Sequence, residues 1–399
     1  MKIAFISPGF VPVPDVMGGA IERLMTYLIE QNEIENKLEI DLYTVDHPDL
    51  NNFNFKKTNI NKIKLNKIEG LFDRFFNHYF WKYNIELSFS QFGRKTLKKM
   101  RNTRYDYILV ENNMYIYKKI YLKITKKFPE TRFIYHLHND IGKVDKPISL
   151  CKYILSTASK VITCSEYLKN RLNDVKRTGK VNVLYNVIDF ENLKFDHIGR
   201  QEIRKKYNIE DNFIYGYIGR ISQEKGVLEL VRAFKNIYKN NKDLRLMIIG
   251  DTLFKNTGNK YYNEIKNEVD EISDAIIFTG SVDNKIINKY MSSLDVLVIP
   301  TICEEAFGIV AAEGLACEIP LLATKSGGMV EILDEESALL INKENIIENL
   351  EKGMMQIKEN YEEYKNKTKN GRKKIIKKQE FHCNKYLNNF FRIVKLHDK

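Results

Sequence analysis

Two short segments in the C-terminal half of the sequence combine charged residues with glycines. In the first, Gly219-Arg220 is followed by Glu224-Lys225-Gly226. Arginine offers a planar fork to phosphate oxygens, lysine offers a point charge, and a glycine lets the backbone approach a ligand closely. The spacing therefore indicates an anion site at the start of a helix, although a solvated turn would show the same residue types.

The second segment places two glutamates eight positions apart, Glu305 before Gly308 and Glu313 after it. Backbone N–H groups at the start of a helix bind anions. With a rise of about 1.5 Å per helical residue, the two carboxylates can hydrogen-bond polyols separated by ~10 Å. A nucleotide sugar has this shape, with a ribose at one end, a hexose at the other and a diphosphate between them. A glutamate on a helix surface remains the alternative.

Short apolar runs alternate with helical periodicity along most of the chain. The predicted strands are residues 2–7, 38–45, 105–110, 132–137, 159–165, 212–220, 244–250, 275–280, 295–300 and 320–324. Helices are predicted from Gly19 onwards and over 113–127, 165–175, 224–238, 343–379 and 380–399. Strands alternating with helices predict parallel sheets, whose ligands bind at the carboxyl ends of the strands. We therefore predict two doubly wound α/β domains, residues 1–190 and 191–379.

The composition excludes several classes of protein. Apolar residues make up 43% and charged residues 29% of the 399 residues, which is unlike a disordered chain, a collagen or a coiled-coil rod. No apolar run approaches the ~20 residues that span a bilayer, and the first residues lack the apolar core of a signal peptide. Five cysteines without a CxxC pair favour a reducing cytoplasm over a disulfide framework or a zinc site.

Much of the formal net charge of +12 lies in residues 53–104, which hold thirteen Lys or Arg against three acidic residues. The same stretch contains the only tryptophan, Trp81, in the aromatic run 70–83. Basic residues interleaved with aromatic ones suit an anionic membrane surface. Aromatic residues packed inward in a lysine-rich chain are an equal alternative. Nucleic acid is disfavoured, because no zinc-finger or RNP-type motif is present.

Taken together, these motifs resemble the GT-B-fold, family 4 retaining glycosyltransferases. The C-terminal half carries GR…EKG, then PTICEEAFGIVAAEGLACEIPLLAT, then SGGMVEIL. The N-terminal half agrees more loosely through ISPGFVPVPDVMGGAIERL, HLHND, CSEYLKNRL and YNVIDF. The resemblance implies two Rossmann-like domains facing a cleft, with an acceptor-binding N-terminal domain, a nucleotide-sugar-binding C-terminal domain, and a C-terminal helix that crosses back to the first domain.

The resemblance also implies roles for residues of the C-terminal half. Arg220 and Lys225 would hold the donor diphosphate, and Glu305 would contact the hexose hydroxyls. Phe307 and Gly308 would present backbone N–H groups, while Glu313 would bind the ribose. Three further positions complete the implied donor site: Gly219, Val282, whose backbone would lie against the base, and Ile309.

In the N-terminal half, Gly18 and Gly19 would face the diphosphate, and His138 would lie near the transferred sugar. His136 is a competing choice, because strand alternation points both side chains the same way. His138 is preferred since it is nearer the carboxyl end of its strand. A buried structural histidine is the alternative for either position.

The implied reaction is transfer of a hexose-type sugar with retention of anomeric configuration, from a nucleoside diphosphate sugar to a glycan acceptor. UDP is favoured only as the commonest donor nucleotide. No Asp-x-Asp pair occurs in the chain, so we expect no cofactor and no essential metal. The favoured setting is assembly of a lipid-linked cell-surface polysaccharide, such as capsule or O-antigen, on the cytoplasmic face of the membrane.

Two other functions remain open. A soluble metabolic transferase of the sucrose, trehalose or glycogen type would share the site without the membrane contact. A non-catalytic nucleotide-sugar binding module is disfavoured, because Arg220, Lys225, Glu305 and Glu313 are all present. A dinucleotide-dependent dehydrogenase is disfavoured as well, because no GxGxxG follows the first strand.

Overall fold

The computed structural model describes residues 1–66, 90–141, 148–252 and 260–395. The chain divides into two units, Met1–Asn186 with Asn384–Lys399, and Val187–Cys383. The change of unit lies four residues before the predicted domain boundary after residue 190. The aromatic run 70–83 with Trp81 lies outside the described residues.

The first unit is built on a parallel sheet of seven strands in the order β3-β2-β1-β4-β5-β6-β7. Its strands are β1 (Lys2–Ile6), β2 (Glu39–Val45), β3 (Thr58–Ile63), β4 (Tyr107–Glu111), β5 (Arg132–Leu137), β6 (Lys160–Thr163) and β7 (Val181–Val183). Its described helices are α1 (Ala20–Glu35), α2 (Gln91–Met100), α3 (Met114–Ile124), α4 (Ile148–Thr157), α5 (Glu166–Val175) and the C-terminal α13 (Tyr386–Lys395).

The central strands of this sheet are apolar because helices cover both faces. In β1, the side chains of residues 3–6 are completely buried, and the strand ends just before Ser7-Pro8. Residues 384–399 belong to the first unit, and α13 packs on α1 with its apolar face, where Phe390 meets Phe5 edge-to-face. The predicted return of the C-terminal helix is therefore confirmed.

The second unit is built on a parallel sheet of six strands in the order β10-β9-β8-β11-β12-β13. Its strands are β8 (Phe213–Ile218), β9 (Leu244–Ile249), β10 (Ile276–Gly280), β11 (Val296–Ile299), β12 (Leu321–Thr324) and β13 (Leu339–Ile341). Its described helices are α6 (His197–Lys206), α7 (Val227–Tyr238), α8 (Lys260–Val269), α9 (Ile287–Ser293), α10 (Ile309–Ala316), α11 (Ile346–Glu359) and α12 (Tyr361–Lys377).

A buried ionic cluster fixes the amino end of this second sheet. The carboxylate of Asp295, just before β11, accepts from Arg200 and Arg204 at 2.6 Å each and from the Ile214 backbone N–H at 2.7 Å. Both arginines lie on α6, so the cluster ties that helix to β8 and β11. At the opposite end of the sheet, the carboxyl ends of the strands continue into loops.

Most predicted elements are present, and the differences have local causes. The strands β3, β7 and β13 were not predicted, because β7 and β13 are three residues long and β3 is a polar edge strand, TNINKI. The prediction of one helix over 380–399 is wrong at its start, since 3₁₀ turns at Gln379–Phe381 and Cys383–Lys385 precede α13. None of the described helices is both long and apolar enough to cross a membrane.

Candidate functional site

Three loops meet at the carboxyl ends of adjacent strands in the second unit. Residues 219–226 follow β8, residues 300–308 follow β11, and residues 326–328 follow β12. These strands are neighbours in the order β8-β11-β12, so their loops lie side by side. We refer to the three loops as the C-terminal loop cluster.

The first two loops are joined through the backbone carbonyl of Glu224. This oxygen accepts from the N–H groups of Ile302 at 3.0 Å and Cys303 at 3.3 Å. The close approach requires Gly226, which has φ 70° and whose absent Cβ would lie 1.9 Å from the carbonyl oxygen of Pro300. Only glycine fits at this position. The glycine of the EKG motif is therefore required by the contact between the two loops and by the backbone conformation at the start of α7.

Glu305 is held at the centre of the cluster by three hydrogen bonds. Its Oε1 accepts from Lys225 Nζ at 2.5 Å and from Thr301 Oγ1 at 3.0 Å. Its backbone N–H donates to Ser326 Oγ at 3.0 Å. The side chains of Lys225 and Glu305 keep 24% and 16% of their surface exposed. The pair is therefore ordered and still open to a ligand.

The third loop closes against the same segment. The Gly328 N–H donates to the carbonyl of Glu305 at 2.8 Å, and the Gly327 N–H donates to the carboxylate of Glu304 at 2.5 Å. Lys343 Nζ donates to the other oxygen of Glu304 at 2.6 Å. Glu304 thus ties the SGG segment to the loop that carries Glu305.

The remaining predicted residues of the second unit lie around this cluster. Arg220 points outward with 53% of its side chain exposed, and its carbonyl accepts from the hydroxyl of Tyr217 at 2.6 Å. Gly308 has φ 90° and begins α10. Ile309 is the first residue of that helix, the ring of Phe307 is buried beside Phe381, and Glu313 is buried on α10.

Two predicted positions lie where the outer strands end. Gly219 directly follows β8, and its N–H donates to the carbonyl of Ile249 at 3.0 Å. Val282 is half-buried two residues after β10, beside the point where the Gly250 N–H donates to the Gly280 carbonyl at 3.0 Å. Eight of the nine predicted positions of the second unit therefore lie on loops or at a helix start that follow the carboxyl ends of its strands, and the ninth, Glu313, lies inside α10.

In the first unit, Gly18 and Gly19 lie at the start of α1, with φ values of 81° and 141°. A Cβ on Gly19 would come within 2.2 Å of Glu22 Oε2, so a buried carboxylate fills the space beside this glycine. Burial raises the pKa of Glu22 to about 7, the charges of Asp15 and Glu111 add to the shift, and a backbone hydrogen bond opposes it.

His138 and His136 share a single carboxylate, Glu111, and we refer to these three residues as the carboxylate–imidazole cluster. His138 Nε2 lies 2.8 Å from Glu111 Oε2, and His136 Nδ1 lies 3.2 Å from the same oxygen. All three residues are buried. Although burial raises the pKa of Glu111, the charge of His136 and the hydrogen bonds from both imidazoles lower it to about 2.

Glu111 was not identified from the sequence, because the predicted strand ended at residue 110. The available signal was an acidic residue at the carboxyl end of an apolar strand. This signal could be connected with the histidines only once the strand order was known, because β4 pairs with β5 and Glu111 lies opposite His136. Within the described part of the chain, these three side chains are also the group that could hold a metal ion, with potential ligand atoms within 4.8 Å of one another.

The sequence is similar to known glycosyltransferases. Residues 199–374 match the family described as glycosyl transferases group 1. The lipopolysaccharide 1,2-N-acetylglucosaminetransferase of Salmonella typhimurium is 25% identical over 335 residues, covering 83% of this chain and 82% of that protein. The capsular polysaccharide biosynthesis glycosyltransferase CapM of Staphylococcus aureus is 29% identical, over 48% of this chain and 50% of that protein.

Solved structures show the same fold. Anabaena HepE in complex with UDP and glucose superposes with a TM-score of 0.77 at 18% identity, covering 99% of this chain and 100% of that one. Sucrose-phosphate synthase of Thermosynechococcus elongatus gives 0.76 at 19% identity, covering 99% and 98%. Both likenesses span the two units and establish the GT-B architecture. The matched region, residues 199–374, lies inside the unit that carries the C-terminal loop cluster, and this unit is similar to the glycosyl transferases of group 1.

Proposed function

We propose that this protein transfers a hexose-type sugar from a UDP-sugar to a lipid-linked glycan, with retention of anomeric configuration. The observation that carries the proposal is the joining of Lys225, Glu305 and the start of α10 in one loop cluster, with Arg220 exposed on the same loop as Lys225. Such a cluster suits a ligand that carries a diphosphate beside a polyol.

The charges of the loop cluster match the charge that develops during transfer. Departure of a nucleoside diphosphate leaves negative charge on its phosphate oxygens, which preorganised cations and helix N-termini stabilise. Arg220 and Lys225 would supply the cations, and the N–H groups that follow Gly308 would supply the helix end. Glu305 holds Lys225 in place by accepting a hydrogen bond from its ammonium group at 2.5 Å, and would accept hydrogen bonds from hydroxyl groups of the sugar.

Retention is proposed to proceed by attack on the same face from which the diphosphate leaves. In that route the leaving phosphate assists removal of the acceptor proton, so no nucleophilic carboxylate beside the anomeric carbon is required. Because two side-chain cations are available for the diphosphate, we also propose that no metal is essential. Transfer should then persist in EDTA without added magnesium.

The acceptor and the membrane setting are proposed from the relatives and from the charge distribution. Proteins similar to this chain are named for lipopolysaccharide and capsular polysaccharide synthesis. The basic stretch 53–104 would hold the protein on the cytoplasmic face of an anionic membrane. Flotation with vesicles of phosphatidylglycerol at low salt should recover the protein, and vesicles of phosphatidylcholine should not. Equal recovery with both, or with neither, would contradict membrane binding through charge.

The donor is tested by thermal melting of the full chain with UDP, GDP, dTDP, ADP and NAD, each at millimolar concentration without metal. A ligand at 100 times its Kd stabilises the folded protein by about 2.7 kcal/mol, which shifts Tm by several degrees. We expect a shift with UDP that is lost in Arg220→Ala. Arg232→Ala serves as the matched control, since Arg232 lies on α7 and pairs with Glu268.

Donor turnover then tests the chemistry. Proton NMR of a UDP-sugar incubated with the protein and a glycan acceptor should show a product with the anomeric configuration of the donor. An inverted product would overturn the proposed mechanism. A melting shift with NAD alone would overturn the proposed donor class, and transfer to a small soluble sugar without any lipid dependence would assign the protein to the metabolic transferases.

A further inference from the structure

The carboxylate–imidazole cluster imposes a specific protonation pattern on its two histidines. An ionised carboxylate only accepts hydrogen bonds. Both imidazoles therefore donate to Glu111, His136 through Nδ1–H and His138 through Nε2–H. Since different ring atoms face the same carboxylate, the two histidines are held in opposite tautomers when neutral.

Burial and close packing constrain the geometry of the carboxylate–imidazole cluster. Glu111, His136 and His138 are 3%, 2% and 7% exposed, and the two imidazole centroids lie 3.8 Å apart. The residue after Glu111, Asn112, accepts a hydrogen bond from the His138 backbone N–H at 3.2 Å through its side-chain oxygen. The end of β4 thus fixes both the ring and the main chain of His138.

The two histidines differ in their position along β5. His136 lies within the strand, paired with Glu111 across the sheet. His138 lies one residue past the strand, at the carboxyl end where ligands of parallel sheets bind. This difference assigns His136 to support and His138 to the ligand side.

We propose that Glu111 is a positioning residue, which holds His138 in the Nε2–H tautomer and in one ring orientation at the carboxyl end of β5. A carboxylate that accepts a hydrogen bond from one nitrogen fixes the tautomer and the orientation of an imidazole ring. The effect of Glu111 on sugar transfer rests on the proposed function, whereas the tautomer does not. Glu111 acts through His138 and need not touch a substrate.

The direct test is the tautomer of each histidine in the full chain, read from long-range ¹H–¹⁵N correlations of protein labelled with ¹⁵N-histidine. Spectra of His136→Asn and His138→Asn assign the signals. At a pH where both rings are neutral, we expect an Nδ1–H pattern for His136 and an Nε2–H pattern for His138, unchanged by EDTA. The same tautomer for both rings, or EDTA-sensitive signals typical of metal-bound nitrogen, would overturn the proposal.

Activity measurements test whether Glu111 works through His138. Glu111→Gln should lower kcat on the order of 10- to 100-fold, the size of effect expected when a reacting group is misplaced by about 1 Å, with little change in KM for the donor. In a His138→Asn background, Glu111→Gln should cause no further loss. If the losses of kcat from the two substitutions multiply in the double variant, or if Glu111→Gln changes only KM, Glu111 has a structural role instead.

A matched control and a second variant keep the test independent of folding. Asp41→Asn removes another buried carboxylate of the same sheet, which accepts from the hydroxyl of Tyr105 at 2.7 Å. It should leave kcat within about 2-fold, because Tyr105 lies before the amino end of β4 whereas Glu111 is at its carboxyl end. If Glu111→Gln does not fold, the positioning role is tested by kcat of Glu111→Asp and by the tautomers of the two histidines in the wild-type protein. Opposite tautomers in a protein that binds no nucleotide would contradict the proposed function but not the tautomer assignment, whereas identical tautomers in a UDP-binding protein would contradict only the positioning role.

Discussion

The two units arrange polar residues at the ends of their sheets in contrasting ways. In the C-terminal loop cluster, the charged groups are partly exposed. Backbone contacts between loops position them together with side-chain hydrogen bonds, such as that from Thr301 to Glu305. In the carboxylate–imidazole cluster, every member is buried and is positioned by side-chain hydrogen bonds. The first arrangement suits a highly charged ligand that arrives from water. The second suits precise placement of one uncharged contact.

The largest expected effect comes from removing a cation of the loop cluster. Lys225→Ala should lower kcat/KM for sugar transfer by about 10²–10³-fold, the loss typical of one electrostatic donor in a preorganised site. Steady-state kinetics with the donor identified by melting would measure it. Lys235→Ala is the control, since Lys235 lies on α7 with Glu268 and Glu271. A loss below about 5-fold would contradict the assignment of Lys225 to the diphosphate.

A pH dependence should come from the buried acid beside Gly19. The pKa of Glu22 is about 7 in the folded protein, against 4.5 ordinarily. Between these values the unfolded chain loses the proton first, so the wild type loses stability as pH rises, by about 3 kcal/mol in all. Glu22→Gln lacks this loss. Its unfolding free energy relative to the wild type should therefore increase from pH 4 to pH 8 in urea titrations, whereas a constant difference would contradict the raised pKa.

A smaller loss of stability should follow from Gly226→Ala. The substitution places a Cβ against the carbonyl of Pro300 and forces a left-handed backbone on alanine. Strained backbone positions of this kind cost about 1–3 kcal/mol. We expect a lower Tm together with weaker nucleotide binding, because the loops must separate. The exposed Gly179→Ala, which has φ 67° but no neighbour within 4 Å, separates the backbone strain from the steric clash. Equal destabilisation by both substitutions would contradict the docking role of Gly226.

The smallest effect should come from the hydroxyl that orients Glu305. Thr301→Val keeps the shape of the side chain but removes the 3.0 Å hydrogen bond to Oε1. One such bond contributes about 1 kcal/mol, so kcat/KM should fall about 5- to 10-fold. A Thr301→Ser variant, which retains the hydroxyl, should recover most of the activity. Failure of serine to recover more activity than valine would show that the threonine contributes packing alone.

The difference between the two clusters also explains what could be predicted from the sequence. Gly226 is required because a Cβ at this position would lie 1.9 Å from the carbonyl oxygen of Pro300, and Gly308 begins a helix. This half of the site therefore appears in the sequence as a contiguous pattern of residue types. The alternation of strands and helices predicted both parallel sheets for a similar reason. Each depends on local spacing along the chain.

The other half depends on strand order, which local spacing does not contain. Glu111 and His138 are 27 residues apart and meet only because β4 pairs with β5. The network that orients Glu305 is likewise assembled from three loops, and neither Thr301 nor Ser326 stood out beforehand. Strand β3 was missed because its alternation of polar residues at a sheet edge resembles an irregular basic segment.

The diphosphate site in the C-terminal loop cluster is tested most directly by calorimetric titration of UDP in EDTA. The titration would compare the full chain with Arg220→Ala and with the control Arg232→Ala. We predict saturable binding by the wild type and the control, and affinity at least 10-fold weaker in Arg220→Ala, since a charge-assisted phosphate contact is worth more than about 1.4 kcal/mol. Equal affinity in all three proteins would contradict the site, and binding that requires magnesium would contradict its independence of metal.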